Sequence, residues 1–475
     1  MDKSTSVLKL QSFIDRFSQI SYKGAYLWKY LEYELTSGII DGYQELEKNS
    51  AIAGGLSDDI PDVPQELIQK TGDLLQSLEQ KDILFGMIPL RRPYRGKLEH
   101  TAMDAYISCV DQSKYAVLEM EAGQDDAIVL TKNRIRYDIW GVVGYYGMDQ
   151  IDRNEILAFL VESYIYPLEK AFNIKVPKAI LIKCVFKASS LMKQRKAFIC
   201  FFEDVLDRVK PKVVCYTHGP DPFLCFLREA AQNKGIPSVE IEHGGIIRNL
   251  IYPKNLSYSD YYLTHSDILT RPMIENGIQN VYTVGKPGVY SNTEQIKHEN
   301  MPVVVNFISS LEPGVFEQAI CLAERLEGEN YLVSYKLHSS EYISDEEKAR
   351  IVKEHHNFEF IDGVVDVRDV FAISDIVIGM RSSGVLDALP YHKIKVLALN
   401  DSYEQELLVG SFRFFHDLEK LGDIIYVDDK EQVYQEVISY CRGKKYRNVV
   451  NHYWPEDATK RFLDFMQIFL DGKRP

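Results

Sequence analysis

The sequence predicts an α/β protein of two Rossmann-like, doubly wound domains facing a central cleft, with extra helices in the N-terminal part. Three observations predict it. The chain has 475 residues, beyond the roughly 250–300 at which a single hydrophobic core stops growing, so it should divide into domains. Through the second half, short β-branched runs alternate with helical patterns, the rhythm of βαβ units and a parallel sheet. The same rhythm precedes it, separated by KPGVYSNTEQIKHENMP (286–302), a polar, turn-rich stretch without apolar periodicity that reads as a linker.

The first domain is expected over 1–285. Its strands are DILFGMI (82–88), YAVLEM (115–120), KVVCYT (212–217), IPSVEIEH (236–243), YYLTH (261–265) and VYTVG (281–285). Helices are expected over PFLCFLREAAQNKG and ILTRPMIENG, 154–209 is mostly helical by apolar spacing, and SAIAGGLSDDIPDVPQE (50–66) reads as a loop. The second domain is expected over 303–453, with strands VVVNFI (303–308), YLVSYKL (331–337), FEFI (358–361), DIVIGM (375–380), KVLALN (395–400) and DIIYV (423–427). VFEQAICLAERLEG and DEEKARIVKEHH supply helices between them. In 454–475, Pro455 suits a helix start, and the apolar spacing of the following residues predicts a helix that packs back on the first domain.

A net charge of −14 argues against nucleic acid as a partner and against a broad surface for anionic membranes, since both need clustered Lys and Arg. No run approaches the ~20 apolar residues of a membrane span, and the start MDKSTSVLKLQSF lacks the pattern of a secretory signal. The expected location is therefore the cytoplasm, with at most a peripheral association at the inner face of the membrane. The seven cysteines form no C-x-x-C pair and read as small buried apolar residues.

Ligands of doubly wound domains bind beyond the carboxyl ends of the strands, where helix N-termini present unpaired N–H groups. Four segments fall there. Met380-Arg381-Ser382-Ser383-Gly384 offers two hydroxyls, a glycine and a cation at a helix start, suited to a phosphate or ribose, though an ordinary Ser N-cap would look the same. Ser309-Ser310-Leu311-Glu312-Pro313-Gly314 repeats the combination and is a second candidate contact to a donor. In Lys336-Leu337-His338, alternation puts Lys336 and His338 on one face, where they could balance a departing phosphate. In Glu240-Ile241-Glu242-His243-Gly244-Gly245, His243 at the tip could take a proton from an acceptor hydroxyl, with a carboxylate, Glu242 foremost, orienting its ring. Gly244 and Gly245 let the backbone approach a ligand there. His218, in the turn Thr217-His218-Gly219-Pro220-Asp221, could line the same cleft, and Lys286 is a further cleft cation.

No Walker loop, dinucleotide fingerprint, zincin or nucleophile-elbow motif occurs, and GVVGYYG (141–147) has the wrong glycine spacing for a dinucleotide loop. There is no D-x-D triplet to hold a divalent metal against a diphosphate, so no metal and no cofactor are expected.

The run HGPDPFLCFLREAAQNKGIPSVEIEHGG, continuing through THSDILTRPMIENGIQNVYTVGKP, resembles the end of the N-terminal domain of glycosyltransferase-B (GT-B) proteins. NFISSLEP, YKLHSSEY and FIDGVVDVRDVFAISDIVIGMRSSGVLDAL are similar to their C-terminal donor domain. The span covered is roughly 210–400. The superfamily includes capsule and lipopolysaccharide glycosyltransferases, glycerophosphotransferases of teichoic-acid synthesis, and sugar-nucleotide 2-epimerases. The resemblance implies that His243-Gly244 matches the His-Gly turn implicated in base catalysis, and that His338 matches a His-Pro pair that steadies the leaving group. Ser339 stands where that proline would be, and Asp387 stands where the donor-site motif more often has Glu. Arg91, Arg92 and Arg95, in a part only loosely similar to polysaccharide-synthesis proteins, could meet an anionic acceptor or be plain surface charge.

The resulting expectation is a metal-independent glycosyltransferase moving a sugar from a nucleotide-activated donor to a capsule or lipopolysaccharide acceptor, glycan or lipid-linked glycan. Donor contacts would fall at 309–314, 336–340 and 381–384, and the base would be His243. Transfer of a polyol phosphate from a CDP-activated donor, a 2-epimerase and a non-catalytic assembly scaffold remain as alternatives.

Overall fold

The computed structural model describes residues 13, 16–28, 30, 31, 35 and 62–475, the last range without 90, 95–96, 101, 122–128, 130, 218–220, 244–258, 276–278, 290–300, 311–313, 339–340, 381–382, 392–393, 400–413 and 442–451. Most of the proposed linker, the histidine turn at 218 and the Gly244-Gly245 pair therefore lie outside the described residues.

Two parallel sheets organise the chain. The first has seven strands in the order β5-β4-β1-β6-β7-β8-β9, built from β1 (Ile83–Met87), β4 (Tyr115–Met120), β5 (Arg134–Tyr137), β6 (Val213–Tyr216), β7 (Ser238–Ile241), β8 (Tyr261–Thr264) and β9 (Val281–Thr283). A two-stranded hairpin, β2 (Arg92–Tyr94) and β3 (Lys97–Glu99), follows β1. The second sheet has six strands in the order β12-β11-β10-β13-β14-β15: β10 (Val303–Ile308), β11 (Tyr331–Lys336), β12 (Phe358–Ile361), β13 (Ile376–Gly379), β14 (Lys395–Leu399) and β15 (Ile425–Val427). This is the 3-2-1-4-5-6 order of a Rossmann sheet, and the first sheet repeats it with one strand more. The central strands are buried on both faces, for instance β1, β6 and β13 along their whole length, which explains why they read as continuous apolar runs rather than alternating ones.

The expected strands all form, while β5 and the hairpin were not anticipated. RIRY in β5 is half-polar because it is an edge strand. GVVGYYG is not a loop but the body of the helix Ile139–Tyr146. Its glycines serve packing: a Cβ on Gly141 would sit 2.7 Å from the Leu67 carbonyl oxygen, and one on Gly144 would sit 2.8 Å from Ile68 of the same neighbouring helix, Gln65–Gln76. That helix begins where the sequence suggested a loop.

The region 154–209 is helical as expected, ending in a 32-residue helix, Lys178–Val209. Its first half joins an aromatic cluster with residues 17–31, in which Phe17 lies 4.8 Å from Trp28 and 5.3 Å from Tyr164 between ring centroids. Its second half packs under the first sheet through Phe198, Phe201 and Phe202. Near the other end of the chain, the helix Ala458–Leu470 inserts Phe462, Phe465, Met466 and Phe469 among Phe85, Val117, Cys215 and Tyr261 of the first sheet. Of the six cysteines whose side chains are described, Cys184, Cys215 and Cys225 are buried, whereas Cys109, Cys200 and Cys321 are only half-buried. Among the described residues, no helix is long and apolar enough to cross a membrane.

Candidate functional site

In a sheet of this order the crevice opens where the strand order reverses. In the second sheet that point lies between β10 and β13, beyond Ile308 and Gly379. Ser309 and Ser310 stand there, and the Ser310 hydroxyl donates to the Met380 carbonyl, tying the two strand ends together. Ser309 is buried, its amide donating to Lys336 O at 3.0 Å. The helix Ser383–Asp387 starts on the far side of the same point, with Gly384 and Asp387 half-buried. Arg381, Ser382 and the Ser383 side chain lie outside the described residues. The serine turn and the strand end that leads into the Ser383–Asp387 helix are thus neighbours.

Lys336 differs from expectation. It is 5% exposed, and its ammonium donates to Leu337 O at 2.9 Å and Gly363 O at 3.0 Å. A cation this buried needs its hydrogen bonds satisfied, and here backbone carbonyls fill that need. His338 lies just beyond, half-buried, its amide donating to Glu341 Oε2 at 3.1 Å. Glu341 Oε1 accepts from the Tyr335 hydroxyl at 3.0 Å.

The first sheet brings its own carboxyl ends to the same region. β7 ends at Ile241, and His243 emerges exposed two residues on. Glu242 does not make the orienting contact expected of it. It is completely buried, its Oε2 accepts the His265 amide at 2.8 Å, and its Oε1 has no hydrogen-bond partner among the described residues. The His265 ring is 3.7 Å from that Oε1 through Nδ1, stacks parallel to Tyr106 at 6.5 Å, and lies 5.3 Å from the Trp454 ring. Burial governs both groups: desolvation pushes the Glu242 carboxyl up to about 8 and the His265 imidazole down to about 3, helped by the nearby Lys286 charge. Near neutral pH the pair is therefore an uncharged acid beside an uncharged imidazole. Glu240, also buried, accepts from Ser259 instead, at 3.3 Å, so the two glutamates have separate partners.

Charged contacts join the two domains at the rim. Arg368, beyond β12, forks onto Glu99 of the hairpin beyond β1 and onto Asp366 at 2.8 and 2.9 Å. Asp366 caps the helix Val367–Ile373, accepting the Arg368 amide at 2.8 Å. Lys286, half-buried past β9, helps with Arg368 to hold the Asp366 carboxyl below its ordinary value against desolvation. Glu99 and Lys286 follow carboxyl ends of the first sheet, and Asp366 and Arg368 follow one of the second. The carboxyl edges of both sheets therefore face each other across one cleft.

Deeper in, the crossing between domains is apolar: Tyr262, Leu269 and Met273 share one buried cluster with Val385, Leu386 and Leu418. Trp454 joins that cluster and its indole donates to Leu386 O at 2.8 Å, while Tyr106 donates to Gly285 O at 2.6 Å within the first domain. The buried arginine Arg91 is neither surface charge nor open to an acceptor: it holds Glu119 through Nε at 2.9 Å and Nη2 at 3.0 Å, and Arg134 joins the same carboxylate at 2.6 Å. Sequence reasoning missed His265, Glu99, Asp366, Arg368 and Trp454. His265 ends the strand run YYLTH, a position that could have flagged it.

At the level of sequence, no protein-family model and no curated protein matches the chain. Solved structures do match. The UDP-GlcNAc 2-epimerase from Neisseria meningitidis, solved bound to UDP-GlcNAc, aligns over 82% of this chain and 99% of its own, with TM-score 0.51 and 15% identity. A glycosyltransferase from Rickettsia africae aligns over 83% of this chain and 100% of its own, with TM-score 0.48 and 10% identity. The lipopolysaccharide outer core galactosyltransferase WaaB aligns over 82% and 99%, with TM-score 0.48 and 11% identity. At such identities the likeness is one of fold. Two parallel Rossmann-like sheets with their carboxyl edges across a cleft define that fold: the chain has the GT-B architecture, which glycosyltransferases and 2-epimerases share.

Proposed function

We propose that this protein is a glycosyltransferase that moves a sugar from a nucleotide-activated donor to a surface-polysaccharide acceptor, without a metal. The observation that carries the reading is the switch point of the second sheet, where the serine turn is tied to the strand end that leads into the Ser383–Asp387 helix, while His243 stands exposed beyond a carboxyl end of the first sheet. Helix N–H groups and hydroxyls there suit the phosphates of a nucleotide. In this reading Asp387 meets the ribose and His338 steadies the leaving phosphate. Lys336 acts indirectly, fixing the strand end that carries His338. His243 accepts the acceptor's proton. The rim contacts between Glu99 and Arg368 suit a cleft that closes over the donor and excludes water.

A thermal-shift series with UDP, GDP, CMP, CDP and their sugar or polyol conjugates tests donor binding, since a ligand of the native state raises the melting temperature by mass action. A rise with a sugar nucleotide is expected. Stabilisation by CDP-glycerol alone would move the reading to polyol-phosphate transfer, and no rise with any nucleotide would favour a scaffold. With the donor known, His243→Ala should lower transfer by about 10²–10⁴. Activity within a few-fold of the parent would remove His243 as base, and sugar epimerisation in the absence of any acceptor would overturn transfer altogether.

A further inference from the structure

The charge of this chain is unevenly spread. Residues 166–196 contain eight Lys or Arg and one acid, Glu169, a local charge of +7 (8 − 1), so the remainder carries −21 (−14 − 7). The segment covers the helix Tyr166–Phe172 and the first half of the helix Lys178–Val209. Only residues 173–177 separate the two helices, and Phe172 and Ile180 both bury in one aromatic cluster, which keeps the end of the first helix near the start of the second.

At the far end of the segment the charges are engaged, Arg195 with Glu229 and Lys196 with Asp149 at 3.8 Å. At the near end, among the described residues, only Lys175 is paired. Lys170 and Lys178 are exposed, Lys183 is half-buried, and none of the three has an ion-pair partner among the described residues. Lys175 meets Glu169 only at 3.5 Å, with its side chain 90% exposed. Apolar side chains stand among these lysines: Tyr166 is 60% and Ile182 45% exposed. Tyr166 and Lys170 are four residues apart on one helix, as are Lys178 and Ile182 on the other, so each apolar group neighbours a cation. Exposed tyrosine and isoleucine beside lysines match a surface that settles at the headgroup level of a bilayer, where rings and aliphatic chains enter the boundary and ammonium groups meet phosphates. A nucleic acid would use the cations but gains nothing from an aliphatic Ile182, which offers no face for base stacking.

We propose that the surface of Tyr166, Lys170, Lys175, Lys178, Ile182 and Lys183 docks the protein on a bilayer rich in anionic phospholipid. Docking is independent of the transfer reaction. Together with that reaction, it favours a lipid-borne acceptor that reaches the first domain from the membrane plane.

Sedimentation of the full chain with phosphatidylcholine vesicles, with and without phosphatidylglycerol, tests it. Binding should require phosphatidylglycerol and fall as salt is raised. Reversing the exposed charges with Lys170→Glu and Lys178→Glu should lower partitioning by about tenfold or more. Tyr166→Ser with Ile182→Ser should lower it while leaving the salt dependence. Unchanged far-ultraviolet circular dichroism certifies the folds, and if a double variant fails to fold, each single substitution replaces it. No binding, equal binding to neutral vesicles, indifference to charge reversal, or tighter binding to single-stranded RNA than to anionic vesicles would each overturn the proposal.

Discussion

At the scale of single residues, burial decides what a titratable group can do. Glu242 was legible as a site candidate from its place at a strand end, yet its neighbourhood was not, because His265, Tyr106 and Trp454 reach it from three distant parts of the sequence. Its folded pKa is raised to about 8 from 4.5, so its contribution to stability is complete below pH 4.5 and is lost as pH rises to 8. His265 is lowered from 6.5 to about 3, so its contribution is complete above pH 6.5 and is lost as pH falls to 3. Between pH 4.5 and 6.5 the two slopes oppose each other. Above pH 6.5 only the Glu242 loss remains, at most about 1.4 kcal/mol per pH unit. Melting temperatures of the parent measured from pH 6.5 to 8 should therefore fall, and those of Glu242→Gln should lose that component of the slope. Identical pH profiles would show that the carboxyl does not titrate in this window. Lys336 makes a similar point: alternation located it correctly at the end of β11, but only the fold reveals that the Leu337 and Gly363 carbonyls accept its hydrogen bonds. Lys336→Met should cost about 1–3 kcal/mol in denaturant unfolding by leaving those carbonyls unpaired, and a loss of donor binding without loss of stability would return the lysine to the ligand.

At the scale of elements, periodicity worked where packing is simple and failed where it is close. The buried central strands, the helix Val315–Arg325 and the final helix announced themselves by apolar runs or three- and four-residue spacing. The helix Ile139–Tyr146 did not, because glycine ordinarily disfavours helix interiors. Here the glycines are what allow two helices to touch. Gly141→Ala would drive a methyl to 2.7 Å from the backbone oxygen of Leu67, so the helix pair must separate. A loss of about 1–3 kcal/mol is expected in chemical denaturation. Gly285 is tighter still, with φ +77° and a hypothetical Cβ 2.5 Å from Pro455. Gly285→Ala combines backbone strain with a clash at the domain crossing and should lower the melting temperature more than Gly141→Ala does. The reverse order would mean that the crossing yields easily.

At the scale of the whole molecule, the two-sheet architecture was readable from rhythm and length, whereas the contacts between the sheets were not. Net charge was the least informative quantity of all, since a single figure of −14 averaged away the basic helices. The pairing of Glu99 with Arg368 is partly exposed, so its loss should change stability by no more than about 1 kcal/mol. Its effect should show in shape instead: Arg368→Ala is expected to enlarge the radius of gyration in small-angle scattering, and an unchanged radius would mean that the apolar crossing alone sets the domain spacing.

The final helix, Ala458–Leu470, completes the core beneath the first sheet although the whole second sheet precedes it in the chain. During synthesis on the ribosome, the strands of the first sheet emerge early and must wait, one oily face uncovered, until residues 458–470 have been made. The second sheet is closed on one face by Tyr453 and Trp454, made just before that helix, so it too completes late but ahead of the first. A chain released before residue 458 would thus leave Phe85, Val117 and Tyr261 bare in an otherwise folded protein, a ready substrate for chaperones and proteases.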